Sequence, residues 1–69
     1  LALLQLNDGR VASSSYDNTI KVWDLTSGSC LSTWIGHNNA VLALLQLSDG
    51  RVLSSSDDYT IKIWEEKPY

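Results

Sequence analysis

Nothing limits the possible folds of this chain more than its internal duplication. Residues 42–65, LALLQLSDGRVLSSSDDYTIKIWE, lie over residues 1–24, LALLQLNDGRVASSSYDNTIKVWD, without a gap, at an offset of 41 residues. Of the 24 paired positions 18 are identical; only positions 7, 12, 16, 18, 22 and 24 of the first copy change in the second. A period of this length marks stacked supersecondary units, each unable to bury its apolar face alone. A fold must therefore suit both copies at once.

Each copy reads as short strands between turn signals. Residues 1–6 are almost continuously apolar, the pattern of a strand buried on both faces. Asn7-Asp8-Gly9 then supplies a tight hairpin, since Asn and Asp tolerate turn geometry and Gly accepts positive φ. Residues 10–15 form a second strand, Tyr16-Asp17-Asn18 a second turn, and residues 19–24 a third strand of β-branched and aromatic character. Thr26-Ser27-Gly28 turns the chain into a fourth strand at 29–35. After a loop at 36–39 the cycle restarts, with strands near 40–47, 51–56 and 60–65. Glu66-Lys67-Pro68-Tyr69 makes a polar tail. The expectation is seven antiparallel strands, four and then three, with no helix over residues 40–65.

Composition narrows the function classes. Sixty-nine residues are few for an independent core, yet 43% are hydrophobic and 19% charged, which is not a disordered composition. There is no Met, so the chain reads as a piece of a longer one. A net charge of −3 and a pI near 4.7 argue against a nucleic-acid surface. The longest apolar run, residues 40–45, is too short to span a bilayer, no signal peptide is visible, and no membrane partner is expected. The single Cys30 cannot form an internal disulfide, so the reading is intracellular and cytoplasmic. One His, one Cys and scattered carboxylates give no zinc spacing, and Asp57-Asp58 lacks the alternating oxygen ligands of a calcium loop. No metal or cofactor is expected.

Gly36-His37, then an apolar strand, then Asp58 in a turn and Trp64 closing the third strand follow in order at a spacing that resembles the WD-repeat family of β-propellers. The second copy ends Trp64-Glu65 where the family pattern has Trp-Asp; the charge is kept. The resemblance implies an all-β fold: two four-stranded-type propeller blades, 1–35 and 36–65, the second lacking its outer strand, with a tail at 66–69. It also implies the C-terminal end of a larger propeller. In that family His, Ser, Asp and Trp share one buried hydrogen-bond network. Here that is His37, Ser54, Asp58 and Trp64, with Ser13, Asp17 and Trp23 at the matching positions of the first blade. The histidine of the first blade would fall before Leu1.

His37, Ser54 and Asp58 are also the residue types of a nucleophilic triad. Ser54, however, would sit inside a strand rather than on an exposed elbow, and no nearby glycine offers an oxyanion hole. The leading expectation is thus a non-catalytic protein-interaction scaffold that docks protein or peptide partners. A Ser/His/Asp hydrolase and a self-assembling multi-chain propeller remain as alternatives. The candidate docking residues lie in the loops at one end of the blades: Tyr16, Asn18, Asn38, Asn39, Asp57 and Tyr59. Other expected partners are the remaining blades of the parent propeller or further copies of the chain. Residues 61–64 would present an unpaired edge, so the isolated chain is expected to fold poorly or aggregate.

Overall fold

The structure, a computed structural model, describes residues 1–66. Apart from Glu66, the expected tail lies outside the described residues. Among these residues seven strands form two antiparallel sheets: β1 Leu3–Gln5, β2 Val11–Ser14, β3 Ile20–Trp23 and β4 Cys30–Trp34 in the first, then β5 Val41–Gln46, β6 Val52–Ser56 and β7 Ile61–Trp64 in the second. Strands neighbour one another in sequence order throughout. There is no helix among the described residues.

The tight turns explain the register. Leu6 N–H donates to Arg10 O and Gly9 N–H to Leu6 O, and Gly9 sits at φ +94°. Leu47, Arg51 and Gly50 repeat the arrangement, with Gly50 at φ +95°. This three-residue hairpin needs a left-handed residue at its last position, which Gly fills without a Cβ clash. The turns at the other end of the sheets have the same bonding, Ser15 with Thr19 and Ser56 with Thr60. There the left-handed positions hold Asn18 (φ 72°) and Tyr59 (φ 68°) instead of glycine.

The sheets stack face to face. Cross-strand pairing puts Leu4, Ala12, Val22, Ser14 and Ile20 on one face of the first sheet. That face meets Leu44, Val52, Ser54 and Trp64 of the second sheet, with Val41 and Ser56 beside them. Leu6, Ala12, Ile20, Val22, Val41 and Val52 are buried as one apolar layer, flanked by Leu4, Trp34, Leu44 and Trp64. Trp34 stacks on Trp64 at 5.5 Å between ring centroids. Gly36 passes so close that a Cβ there would stand 2.9 Å from the Trp64 ring, so only glycine lets the indole lie against the incoming loop.

The first strand differs from its sequence reading. It is shorter, and it is covered on one face only: Leu1 is 58% and Leu3 78% exposed. Strand side chains alternate, so Leu4 and Leu6 face the second sheet while Leu3 and Gln5 point away from it. The other strands each begin one residue inside the expected limits and, except for β6, end one residue inside them.

Polar ties join the sheets at the Gly9 and Gly50 turns. Arg10 Nη1 and Nη2 donate to the two oxygens of Glu66 at 2.8 and 2.7 Å, while its Nε donates to Asp8 Oδ2 at 2.7 Å. The guanidinium holds the Glu66 carboxyl below its usual range. Gln46 accepts from the Asn7 backbone N–H at 2.7 Å and donates to Gly50 O at 3.0 Å. A polar cleft of about 410 Å³ opens between these turns, lined by Asn7, Arg10, Gln46, Asp49, Arg51 and Glu65 among others.

Candidate functional site

At the opposite end of the second sheet the chain runs from β4 through Gly36 and His37 into β5, beside the turn between β6 and β7. His37 is buried there, its side chain 0% exposed. With its proton on Nδ1, the imidazole donates to Asp58 Oδ2 at 2.9 Å. Nε2 then accepts the Ser54 hydroxyl at 2.6 Å, and Trp64 Nε1–H donates to the same Ser54 Oγ at 2.7 Å. One chain of hydrogen bonds thus links the loop before β5, the middle of β6, the following turn and the end of β7. No described buried side-chain nitrogen or oxygen lacks a partner, as burial of polar atoms requires.

Asp58 is the node of this network. Its Oδ2 also accepts from the Asn38 backbone N–H at 2.9 Å, and its Oδ1 from the Thr60 N–H at 2.9 Å and the Thr60 hydroxyl. These donors, the Thr60 hydroxyl foremost and then Asn38 N–H and His37, hold its carboxyl well below the ordinary aspartate value. Asp58 therefore fastens the Asn38-Asn39 loop to its own turn. Asp57 N–H to Ala40 O and Ser56 Oγ to Asn39 O complete the join.

The first sheet holds half of the same arrangement. Trp23 Nε1–H donates to Ser13 Oγ at 2.8 Å, and Asp17 accepts from the Thr19 N–H and hydroxyl, which lower its carboxyl likewise. No imidazole connects Ser13 to Asp17, and both lie nearer solvent than their counterparts.

The distances among Ser54, His37 and Asp58 match those of a nucleophile, base and orienting acid, but the surroundings do not suit catalysis. Ser54 is 1% exposed, and its oxygen already receives the Trp64 indole proton. A substrate carbonyl has no path to Oγ, and a nucleophile needs one. What this geometry can do is fix the loop before β5 to the β6–β7 turn.

The candidate docking residues follow from that fixing. Asn38, Asn39, Asp57 and Tyr59 come together at the Asp58 node and are exposed. Tyr16 and Asn18 sit in the matching turn of the first sheet, Tyr16 83% exposed and Asn18 half-buried. Sequence reading missed the Arg10–Glu66 tie and the strained backbone of Tyr59. The recurrence of Asp-Gly-Arg in both first turns was the available signal for the former. For the latter it was the replacement of Asn18 by Tyr59 between the copies.

Comparison with known proteins settles the family. The model of the WD domain, G-beta repeat matches residues 3–24 and 28–65. The chain belongs to this family. Its WD repeats are 54% identical over 33 residues to the Lissencephaly-1 homolog of Dictyostelium discoideum, covering 48% of this chain and 8% of that protein. They are 44% identical over 41 residues to the F-box/WD repeat-containing protein 7 of Drosophila melanogaster, covering 59% of this chain and 3% of that protein. The chain thus spans less than a tenth of the curated relatives it matches. Among solved structures, the WD40 beta propeller domain of Doa1 superposes with a TM-score of 0.88 over 96% of this chain and 22% of that one, at 20% identity, which speaks for the fold alone. The computationally designed Ika4 protein superposes with a TM-score of 0.75 at 41% identity, over 91% of this chain and 38% of that one. The two sheets are propeller blades, the second with three described strands. WD repeat propellers generally serve as scaffolds that hold other proteins rather than as catalysts.

Proposed function

We propose that this pair of WD repeats is a non-catalytic docking element that binds a protein or peptide through the loops around the Asp58 node. Tyr59 carries the proposal. It is 100% exposed and stands at φ 68°, one of two non-glycine residues with positive φ among those described. A bulky residue there costs on the order of 1–2 kcal/mol that glycine would avoid. The matching position of the first blade holds Asn18, a residue that takes this conformation readily. Folding gains nothing from a strained, fully exposed tyrosine, whereas a docking surface gains a rigid aromatic anchor with a polar tip. Asn38, Asn39 and Asp57 around it, and Tyr16 and Asn18 on the neighbouring blade, supply adaptable polar contacts. The buried network keeps the second-blade group in place.

The test uses peptides selected by display against the wild-type chain. They should lose most of their affinity for Tyr59→Asn, while that variant melts at or above the wild-type temperature. Selected peptides that bind Tyr59→Asn unchanged would remove the proposal.

A further inference from the structure

The duplication has a consequence for the two outer faces. The face of the first blade that packs on the second consists of Leu4, Ala12, Ser14, Ile20 and Val22. At the repeat offset these are Leu45, Leu53, Ser55, Ile61 and Ile63, and pairing puts all five on the open face of the second blade. Ile20 and Val22 are 0% exposed; Ile61 and Ile63 are 72% and 59% exposed. A hollow of about 140 Å³ lies there, lined by Leu44, Leu45, Leu53, Ser55 and Ile61 among others. The reverse also holds. The packed face of the second blade, Leu44, Gln46, Val52, Ser54, Lys62 and Trp64, corresponds to Leu3, Gln5, Val11, Ser13, Lys21 and Trp23 on the outer face of the first. Residue for residue the two sets are identical. Leu3 is 78% exposed there.

We infer that the open face of the second blade docks the outer face of the first blade of another copy of this chain, head to tail. The contact continues the packing already made inside the chain, with the same residues on its receiving side. It is a stacking of faces and uses no strand pairing, so the edge of β7, which among the described residues pairs with β6 alone, does not obstruct it. Such a contact is heterologous, giving a ring if successive copies close and a filament if they do not. The inference concerns the blade faces and is independent of the docking role of the turns.

Three details make the contact weaker than the internal one. Leu53 and Ile63 are larger than Ala12 and Val22, which widens the spacing. Among the described residues the second sheet has no counterpart of Trp34 to stack on Trp23. The third detail is electrostatic. Arg51 repeats Arg10 and is held by Asp49 in the same way, with Nε to Oδ2 at 2.8 Å, but its outer nitrogens have no described carboxylate. In the chain Glu66 fills that role for Arg10; at the matching position of the first blade stands Leu25, 63% exposed. A docking copy thus brings a leucine where the fork of Arg51 calls for a carboxylate.

The experiment is sedimentation of the 69-residue chain and of three surface variants whose folding is checked by circular dichroism. Leu3→Asp blocks the outer face of the first blade, and Ile61→Asp the open face of the second. Both positions are solvent-exposed, so neither change buries a charge in the separate chain. The wild type should associate at about 100 μM. Each blocked variant alone should stay monomeric. Their equimolar mixture should form a dimer and stop there, because each retains one working face. Leu25→Glu should tighten wild-type association about two- to five-fold at low salt by completing the Arg51 pair, and lose the gain at high salt. A wild type that stays monomeric overturns the inference and leaves the open face to a blade of different sequence. So does association that survives Ile61→Asp, or folded blocked variants that fail to pair.

Discussion

Ser54→Ala against Ser13→Ala is a comparison the molecule itself controls, since the two serines are repeat equivalents that each accept an indole N–H. Ser54 is 1% exposed and joins Trp64 Nε1 to His37 Nε2 at 2.7 and 2.6 Å. Removing its hydroxyl orphans a buried donor and a buried acceptor, each worth about 1–3 kcal/mol. A partial rearrangement of the imidazole recovers some of this, so the expected loss is about 2–4 kcal/mol. Ser13 makes only the Trp23 bond, at 2.8 Å, and is half-buried on an outer face where water can replace it. Its loss should be about 0.5–1 kcal/mol. Each kcal/mol shifts the melting temperature of a domain this small by roughly 4–8 °C. The assay is thermal and urea unfolding by tryptophan fluorescence and far-ultraviolet circular dichroism. Protein concentration must be fixed, because association would add its own stabilisation. Equal losses for the two variants would refute the claim that His37 couples Ser54 into a buried network.

Three further outcomes follow from the geometry. Gly36→Ala should cost about 1–3 kcal/mol, because its methyl group would meet the Trp64 ring at 2.9 Å and force the Trp34 stack apart; a melt that matches wild type would contradict the packing. Asp58 has a carboxyl held below the ordinary aspartate value of 3.8 by the Thr60 hydroxyl, Asn38 N–H and His37, so its stabilisation is present above that value and is lost as pH falls through it toward the folded value; melts at pH 7 and pH 3 should show wild type losing more stability on acidification than Asp58→Asn. Glu66→Gln should loosen the blade-to-blade tie by about 0.2–1 kcal/mol, an effect that high salt should erase, since the Glu66 side chain is 43% exposed.

Strand order and hairpin positions were legible because each rests on local pattern, short apolar runs between Asp-Gly and other turn signals, whereas the buried network of His37, Ser54, Asp58 and Trp64 was expected only from the resemblance to WD repeats. Exposure was not legible, and the duplication shows why. Leu3 and Leu44 are the same residue in the same local sequence, yet one is 78% exposed and the other half-buried. Local sequence fixes which face a side chain takes; whether a neighbour covers that face depends on the stacking order of the blades. The run of residues 1–6 read as a strand covered twice for this reason, since an apolar residue on a face awaiting a neighbour looks the same as one that has it. The Arg10–Glu66 tie was hidden differently, by 56 residues of separation and by its place in a segment that reads as a polar tail. The strain at Tyr59 was legible only by comparison. Both turns demand a left-handed residue, and only beside Asn18 does a tyrosine there stand out as a choice that folding alone does not favour. A near-repeat therefore carries two kinds of information. Its identical positions report what the two blades share, and its few differences, Asn18 against Tyr59 foremost, show where the blades are free to diverge.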